Sequence, residues 1–293
     1  MFNQIAMQRY TIANVTMEVP GIGFNHIQGF PLFLSRNKET QVNLVVCLGS
    51  HISGWNWEPL HRFMFEEIPC EFTYTDGRYY YRKIMQGGND LLMEISLRGG
   101  RLHAVTNMDE RTPAHWLRFA VWIAFGIAAA TMQTVAIHAS TITYKGKSIL
   151  FLGESGTGKS THTRLWLKHI PEAELLNDDS PFVYADENSA TVFGSPWSGK
   201  TPCFKNIQTP IAGIVRLSQA THNKINKLSG LAAIGALLPS CPAVFSCEEF
   251  LFDQICKILS SLIQQIPVYS LECLPNEDAA QLVFSALKND GYI

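Results

Sequence analysis

Eight consecutive residues, Gly153-Glu154-Ser155-Gly156-Thr157-Gly158-Lys159-Ser160, fit the pattern G-x-x-x-x-G-K-[ST] at each fixed position. The chemistry such a loop serves is phosphate binding. Its glycines let the backbone approach a ligand closely, and its N–H groups converge on an anion at the start of a helix. The lysine then reaches the β- and γ-phosphates of a nucleotide, and the serine hydroxyl ligates Mg²⁺. The setting agrees. The apolar run Ile149-Leu150-Phe151-Leu152 leads into the loop, and a helical pattern over 158–169 must stop before Pro171. ATP and Mg²⁺ are therefore the expected cofactors, bound by the eight loop residues with Thr161 directly after them.

Asp178 and Asp179 follow Lys159 by 19 and 20 residues, just past the short apolar strand Leu175-Leu176-Asn177. A right-handed strand–helix–strand crossover brings the end of that strand beside the phosphate loop. Two adjacent carboxylates there can divide the work, one holding Mg²⁺ and the other accepting a hydroxyl proton or orienting a nucleophile. Ser160 and Asp179 are the expected metal positions, although spacing alone leaves open which aspartate holds the metal and which faces the acceptor. Outside that setting, Asn-Asp-Asp-Ser-Pro is an ordinary turn sequence. His138, in the strand before the loop, is a further catalytic candidate against the bland alternative of a satisfied structural histidine.

A turn-rich segment, Gly194-Ser195-Pro196-Trp197-Ser198-Gly199-Lys200, sets a cation after an indole. Trp197 and Lys200 are candidate substrate-loop residues that would close over the nucleotide or clamp an anionic acceptor. The alternative is a structural loop pinned by its tryptophan. Arg164 and Arg216 are candidate transition-state cations, set against the common case of solvated arginines.

The elements that must position these groups fall into two stretches. Residues 1–110 read as a β-rich accessory or recognition domain, with hairpins at 72–84 around Asp76-Gly77 and at 91–105 around Gly99-Gly100. Further strands are expected at 10–19 and 41–48, and the Tyr79-Tyr80-Tyr81 run is read as strand packing. Residues 111–293 read as an α/β nucleotide-binding domain. It holds a buried helix over 114–132, strands at 135–144 and 148–153, a hairpin at 181–194, a strand at 211–217, and helices over 250–266 and 277–288.

Composition narrows the function classes. In 293 residues, 46% are hydrophobic and only 16% charged, which excludes a disordered chain. With 23 Lys plus Arg against 25 Asp plus Glu, the net charge of -2 gives no basic footprint for nucleic acid. The seven cysteines are scattered, never in CxxC spacing, and read as reduced thiols. No secretory pattern opens the sequence, so a cytoplasmic protein is expected. The uncharged stretch 119–137 approaches the length of a membrane span, but Gln133 and its β-branched end favour a buried helix running into a strand.

From His138 to Val183 the chain resembles the kinase domain of HPr kinase/phosphorylase. In that family a histidine-bearing strand, a short turn, a GxSGxGKS loop and a strand ending in paired aspartates occur in the same order. The resemblance implies a P-loop fold of the HPr kinase and phosphoenolpyruvate carboxykinase type, and it sets His138, Lys159, Ser160, Asp178 and Asp179 at the family's functional positions. Thr161 stands where the bacterial enzymes carry an acidic residue, and the Arg-Gly-rich segment that reads the protein substrate has no counterpart. The loop is equally similar to the SGTGKTT loop of ATP-dependent phosphoenolpyruvate carboxykinase. What the likeness implies is an Mg-ATP-dependent kinase acting on a hydroxyl, a serine of a protein, peptide or small molecule. The alternatives are a nucleotide-binding switch or scaffold and a carboxykinase-like enzyme. Expected partners are ATP and the hydroxyl-bearing acceptor, with no nucleic acid and no membrane; assembly into a homo-oligomer stays open.

Overall fold

The computed structural model describes residues 7–21, 23–37, 39–52, 56–199 and 201–293. Two compact units divide the chain: Met1–Met132 with Val244–Phe252, and Gln133–Ala243 with Asp253–Ile293. The division falls after residue 132 rather than at 110/111. Helix α1 (Ala114–Ala130) is the reason: it is apolar on nearly every side and packs on the first sheet, so it completes the core of the first unit. Gly126 marks how closely it packs, since a Cβ there would stand 2.7 Å from the Phe245 ring. Among the described residues no helix is long and apolar enough to cross a membrane.

The first unit carries an eight-stranded sheet built from β1 (Met7–Ile12), β2 (Val15–Pro20), β3 (Leu44–Cys47), β4 (His61–Phe65), β5 (Ile68–Thr75), β6 (Arg78–Lys83), β7 (Leu91–Arg98) and β8 (Arg101–Thr106). Their order is β1-β2-β3-β8-β7-β6-β5-β4. The two expected hairpins form β5–β6 and β7–β8 with positive φ at Asp76-Gly77 and Gly99-Gly100. Tyr79 and Tyr81 point into the core, as strand packing requires. The stretch 10–19, expected as one strand, is instead a hairpin that turns at Ala13, whose φ is 51°.

The second unit holds β9 (Thr134–Ala136), β10 (Ala139–Tyr144), β11 (Lys147–Leu152), α2 (Lys159–His169), β12 (Ala173–Asp179), β13 (Phe182–Ala185), β14 (Ala190–Phe193), β15 (Gln208–Gln219), β16 (Lys224–Leu228) and α3 (Gly230–Leu237). It also holds most of α4 (Glu249–Gln265), then β17 (Val268–Cys273) and α5 (Glu277–Asn289). The main path of its nine-stranded sheet runs β12-β10-β11-β15-β14-β13-β9, with β17 also on β15 and β16 on β17. The fold is mixed α/β. The strand expected over 135–144 is two strands, because the chain leaves β9 after Ala136 and joins a different part of the sheet at Ala139. Long β15 spans both regions: its start pairs with β14, and the rest runs parallel to β11 and β17. Trp166, Phe151, Val215, Val283 and Leu287 fill the core beneath α2 and α5.

Candidate functional site

The loop from Gly153 to Gly158 connects the end of β11 to α2, which begins at Lys159 with Gly158 as its N-cap at φ 104°. That left-handed conformation suits glycine. Gly153 is required for space as well, since a Cβ there would lie 2.5 Å from Thr157 Oγ1 and 3.2 Å from the Leu217 carbonyl oxygen. Thr157 ties the loop down by donating its hydroxyl to the Glu154 carbonyl at 2.8 Å. Lys159 Nζ folds over the loop and donates to the carbonyls of Gly153 at 2.7 Å and Glu154 at 3.2 Å. Burial pushes its ammonium below the ordinary lysine range, against the opposing pull of Asp179, Asp178 and Glu154. Arg216 on β15 reaches Glu154 at 2.6 Å and also donates to the Ala236 carbonyl.

Backbone pairing sets the aspartates beside this loop. Ala139 of β10 pairs with Leu152 of β11 on one side and with Asp179 of β12 on the other. Strands β11 and β12 are thus parallel to each other but separated by β10, so the crossover through α2 skips one strand instead of landing on the neighbour. Their ends still finish level, two strand spacings or ~10 Å apart. Alternation along β12 then turns consecutive side chains different ways. Asp178 is buried and accepts the Ser160 hydroxyl at 3.2 and 3.3 Å, whereas Asp179 is half-exposed with its carboxylate 3.2 Å from His138 Nδ1. The neighbour of Ser160 is therefore Asp178 rather than Asp179. His138 occupies the break between β9 and β10, anchored by its N–H to the Ser240 carbonyl at 2.7 Å.

Groups that spacing did not flag hold this arrangement. Ser140 donates to Thr163 at 3.2 Å, and the Thr163 hydroxyl reaches the carbonyls of Lys159 and Ser160, which fixes the first turn of α2 to β10. Asn177 is fully buried and donates to Ser195 and to the Trp197 carbonyl while accepting from the Ser180 N–H. Ser195 Oγ donates to the Ser180 carbonyl at 2.6 Å and accepts from the Trp197 N–H at 3.2 Å. The Trp197 indole is itself buried, 5.6 Å from the Phe182 ring. Its packing matches the pinned-loop alternative, and Gly199 N–H bonds the Asp178 carbonyl at 2.7 Å. Lys200 lies outside the described residues. Arg164 is exposed and bonds the Ser160 carbonyl at 3.1 Å.

None of the seven cysteines is in a disulfide. Among the described residues there is no group of three or more His, Cys, Asp or Glu side chains that could hold a metal ion. Magnesium does not require one, because it is commonly held by one or two carboxylates together with substrate phosphates and waters. The hard oxygens of Ser160 and Asp178 suit that role.

No protein-family model matches the chain, and no curated protein matches it. Among solved structures it is similar to the HPr(Ser) kinase/phosphatase from Coxiella burnetii, at 13% sequence identity, over 53% of this chain and 95% of that one, with a TM-score of 0.30. So distant a likeness carries no argument about activity.

Proposed function

We propose that the chain is an Mg-ATP-dependent phosphotransferase that moves the γ-phosphoryl group to a hydroxyl, with a serine of a protein, peptide or small molecule as the acceptor class. The observation that carries this reading is the common level of two chemistries: a complete G-x-x-x-x-G-K-S loop at the end of β11 and paired aspartates at the end of β12, both registered on Ala139.

The loop N–H groups and Lys159 hold the β- and γ-phosphates. Lys159 exchanges its bonds to the Gly153 and Glu154 carbonyls for bonds to phosphate oxygens. Mg²⁺, when bound by Ser160 and Asp178, supplies positive charge that offsets the charge building on the phosphate oxygens. Asp179 accepts the proton of the acceptor hydroxyl as its oxygen attacks the γ-phosphorus; the bond from that phosphorus to the bridging oxygen breaks and ADP leaves. His138 orients the Asp179 carboxylate from 3.2 Å away.

The test is incubation of the full chain with γ-labelled ATP, Mg²⁺ and fractionated extract, followed by identification of the labelled species. A labelled hydroxyl ester supports the reading. ATP hydrolysis with no labelled acceptor in any fraction overturns it in favour of a nucleotide switch.

A further inference from the structure

Asp179 ends β12 with a φ of 146°. Among the described residues the other non-glycine residues with positive φ lie between 47° and 67°, the ordinary left-handed region, so this one stands apart. Backbone of that kind is strained for any residue with a Cβ, and it persists only where its surroundings over-determine it. Those surroundings are visible. Asp179 pairs with Ala139 of β10 on one side and forms an isolated antiparallel bridge with Ser198 on the other. The Asp178 carbonyl accepts the Gly199 N–H at 2.7 Å and the Ser198 hydroxyl at 3.3 Å. Just beyond, the Ser180 N–H is held by Asn177 Oδ1 at 3.0 Å. The peptide units before and after Asp179 are both fixed, and its own dihedral takes up the difference.

Gly199 lets this clamp close. Its own φ is not positive, so backbone conformation does not select glycine there. Space selects it: a Cβ at 199 would lie 3.2 Å from the Asp178 carbonyl oxygen, 3.2 Å from Asp179 Cβ and 3.4 Å from the Asp179 carboxyl carbon. Contacts so short would push segment 198–199 off β12 or turn the Asp179 carboxylate away from His138, whose Nδ1 stands 3.2 Å from it.

We propose that Gly199 is a positioning residue that acts through Asp179: the bare backbone at 199 clamps Asp179 in a strained conformation, which aims its carboxylate at His138 and leaves room beside it for the acceptor hydroxyl. The inference rests on the phosphotransferase reading for what the aimed carboxylate does, whereas the clamp itself rests on geometry alone. A carboxylate aimed by fixed backbone loses little orientational freedom when the acceptor arrives. That is the use of strain at a site of proton transfer.

The experiment has two arms, both on the full chain. Melting curves compare Asp179→Gly with Asp179→Ala, since both lack the carboxylate and differ in whether a Cβ must bear the strained φ. At an unstrained position alanine is the more stable of the two. Here the glycine variant should melt higher, by about 2 °C or more. Gly199→Ala should lower the melting temperature of wild type more than that of Asp179→Gly, because the Asp179 Cβ it would meet is gone. In the second arm, γ-labelled ATP and Mg²⁺ are given to wild type and Gly199→Ala with the extract fraction that wild type labels. Transfer should fall at least about tenfold in Gly199→Ala while KM for ATP stays within about twofold, a split that a general loss of structure would not produce. Asp179→Ala melting at or above Asp179→Gly overturns the strained clamp, and unchanged transfer in Gly199→Ala overturns its positioning role. A wild type that labels no fraction overturns the phosphotransferase reading, and the melting arm then decides the clamp by itself.

Discussion

The Ser160 hydroxyl donates to the Asp178 carboxylate at 3.2 Å, joining the first turn of α2 to the end of β12. The adjacent Asp179 makes no such bond and turns instead to His138. Two neighbouring carboxylates therefore have different partners, and the proposed phosphotransferase reading gives them different roles.

Asp179→Asn keeps size and turn geometry but removes the proton acceptor. Single-turnover transfer should slow by roughly 10² to 10⁴ with ATP affinity retained. Asp178→Asn should instead raise the Mg²⁺ concentration needed for half-maximal transfer. Near-normal transfer at ordinary Mg²⁺ in both variants would refute the division.

Lys159→Ala removes the ammonium that lies over the loop carbonyls at 2.7 and 3.2 Å. ATP affinity should fall by about tenfold or more, as expected for loss of a charge-assisted phosphate contact. The melting temperature should change little. Calorimetry checks this directly, and equal affinities in wild type and variant contradict it.

Ser195→Ala removes the hydroxyl that donates to the Ser180 carbonyl and accepts from the Trp197 N–H and the Asn177 amide. A loss of about 1–3 kcal/mol is expected for breaking into a buried hydrogen-bond network. Denaturant unfolding measures it, and a change below about 0.5 kcal/mol, the range of ordinary surface substitutions, would count against the network.

Acidification should weaken the second unit through His162. Its pKa is about 4 in the folded chain against an ordinary value of 6.5, so the unfolded state binds the proton more readily between those limits. Stability is complete above pH 6.5 and declines as pH falls toward 4, by up to about 3 kcal/mol. Wild type should lose more melting temperature between pH 7 and pH 5 than His162→Gln does. Parallel losses would show that other groups govern the pH response.

The strand–loop–helix around 153–160 was legible because the G-x-x-x-x-G-K-S pattern sets glycines between an apolar run and a helical one, and the Asp-Gly and Gly-Gly turns because positive φ selects glycine. The turn at Ala13 carries no comparable signal, and alanine at φ 51° is held there by the pairing on either side. The run Val135-Ala136-Ile137-His138-Ala139 is continuously strand-like, so its division between β9 and β10 depends on which partners the two pieces find. Likewise, no local pattern states that β10 lies between β11 and β12. His162 did leave a trace: it stands four residues before buried Trp166, on the same inward helical face. The fixing role of Asn177 was obscured because Asn-Asp-Asp-Ser-Pro is also a good surface turn.

Ala139 gives the site a property that side chains do not control. Because one residue stands in register with the end of β11 on one side and with the end of β12 on the other, the span between loop and carboxylates is metered by backbone, like two jaws clamped to one bar. Side-chain replacement can change what each jaw grips without altering the gap. A single-residue insertion in β10 would shift both jaws' register against it and reverse which side chains face inward. For any redesign of the site, the loops after β12 are therefore the adjustable part and β10 is the part to leave alone.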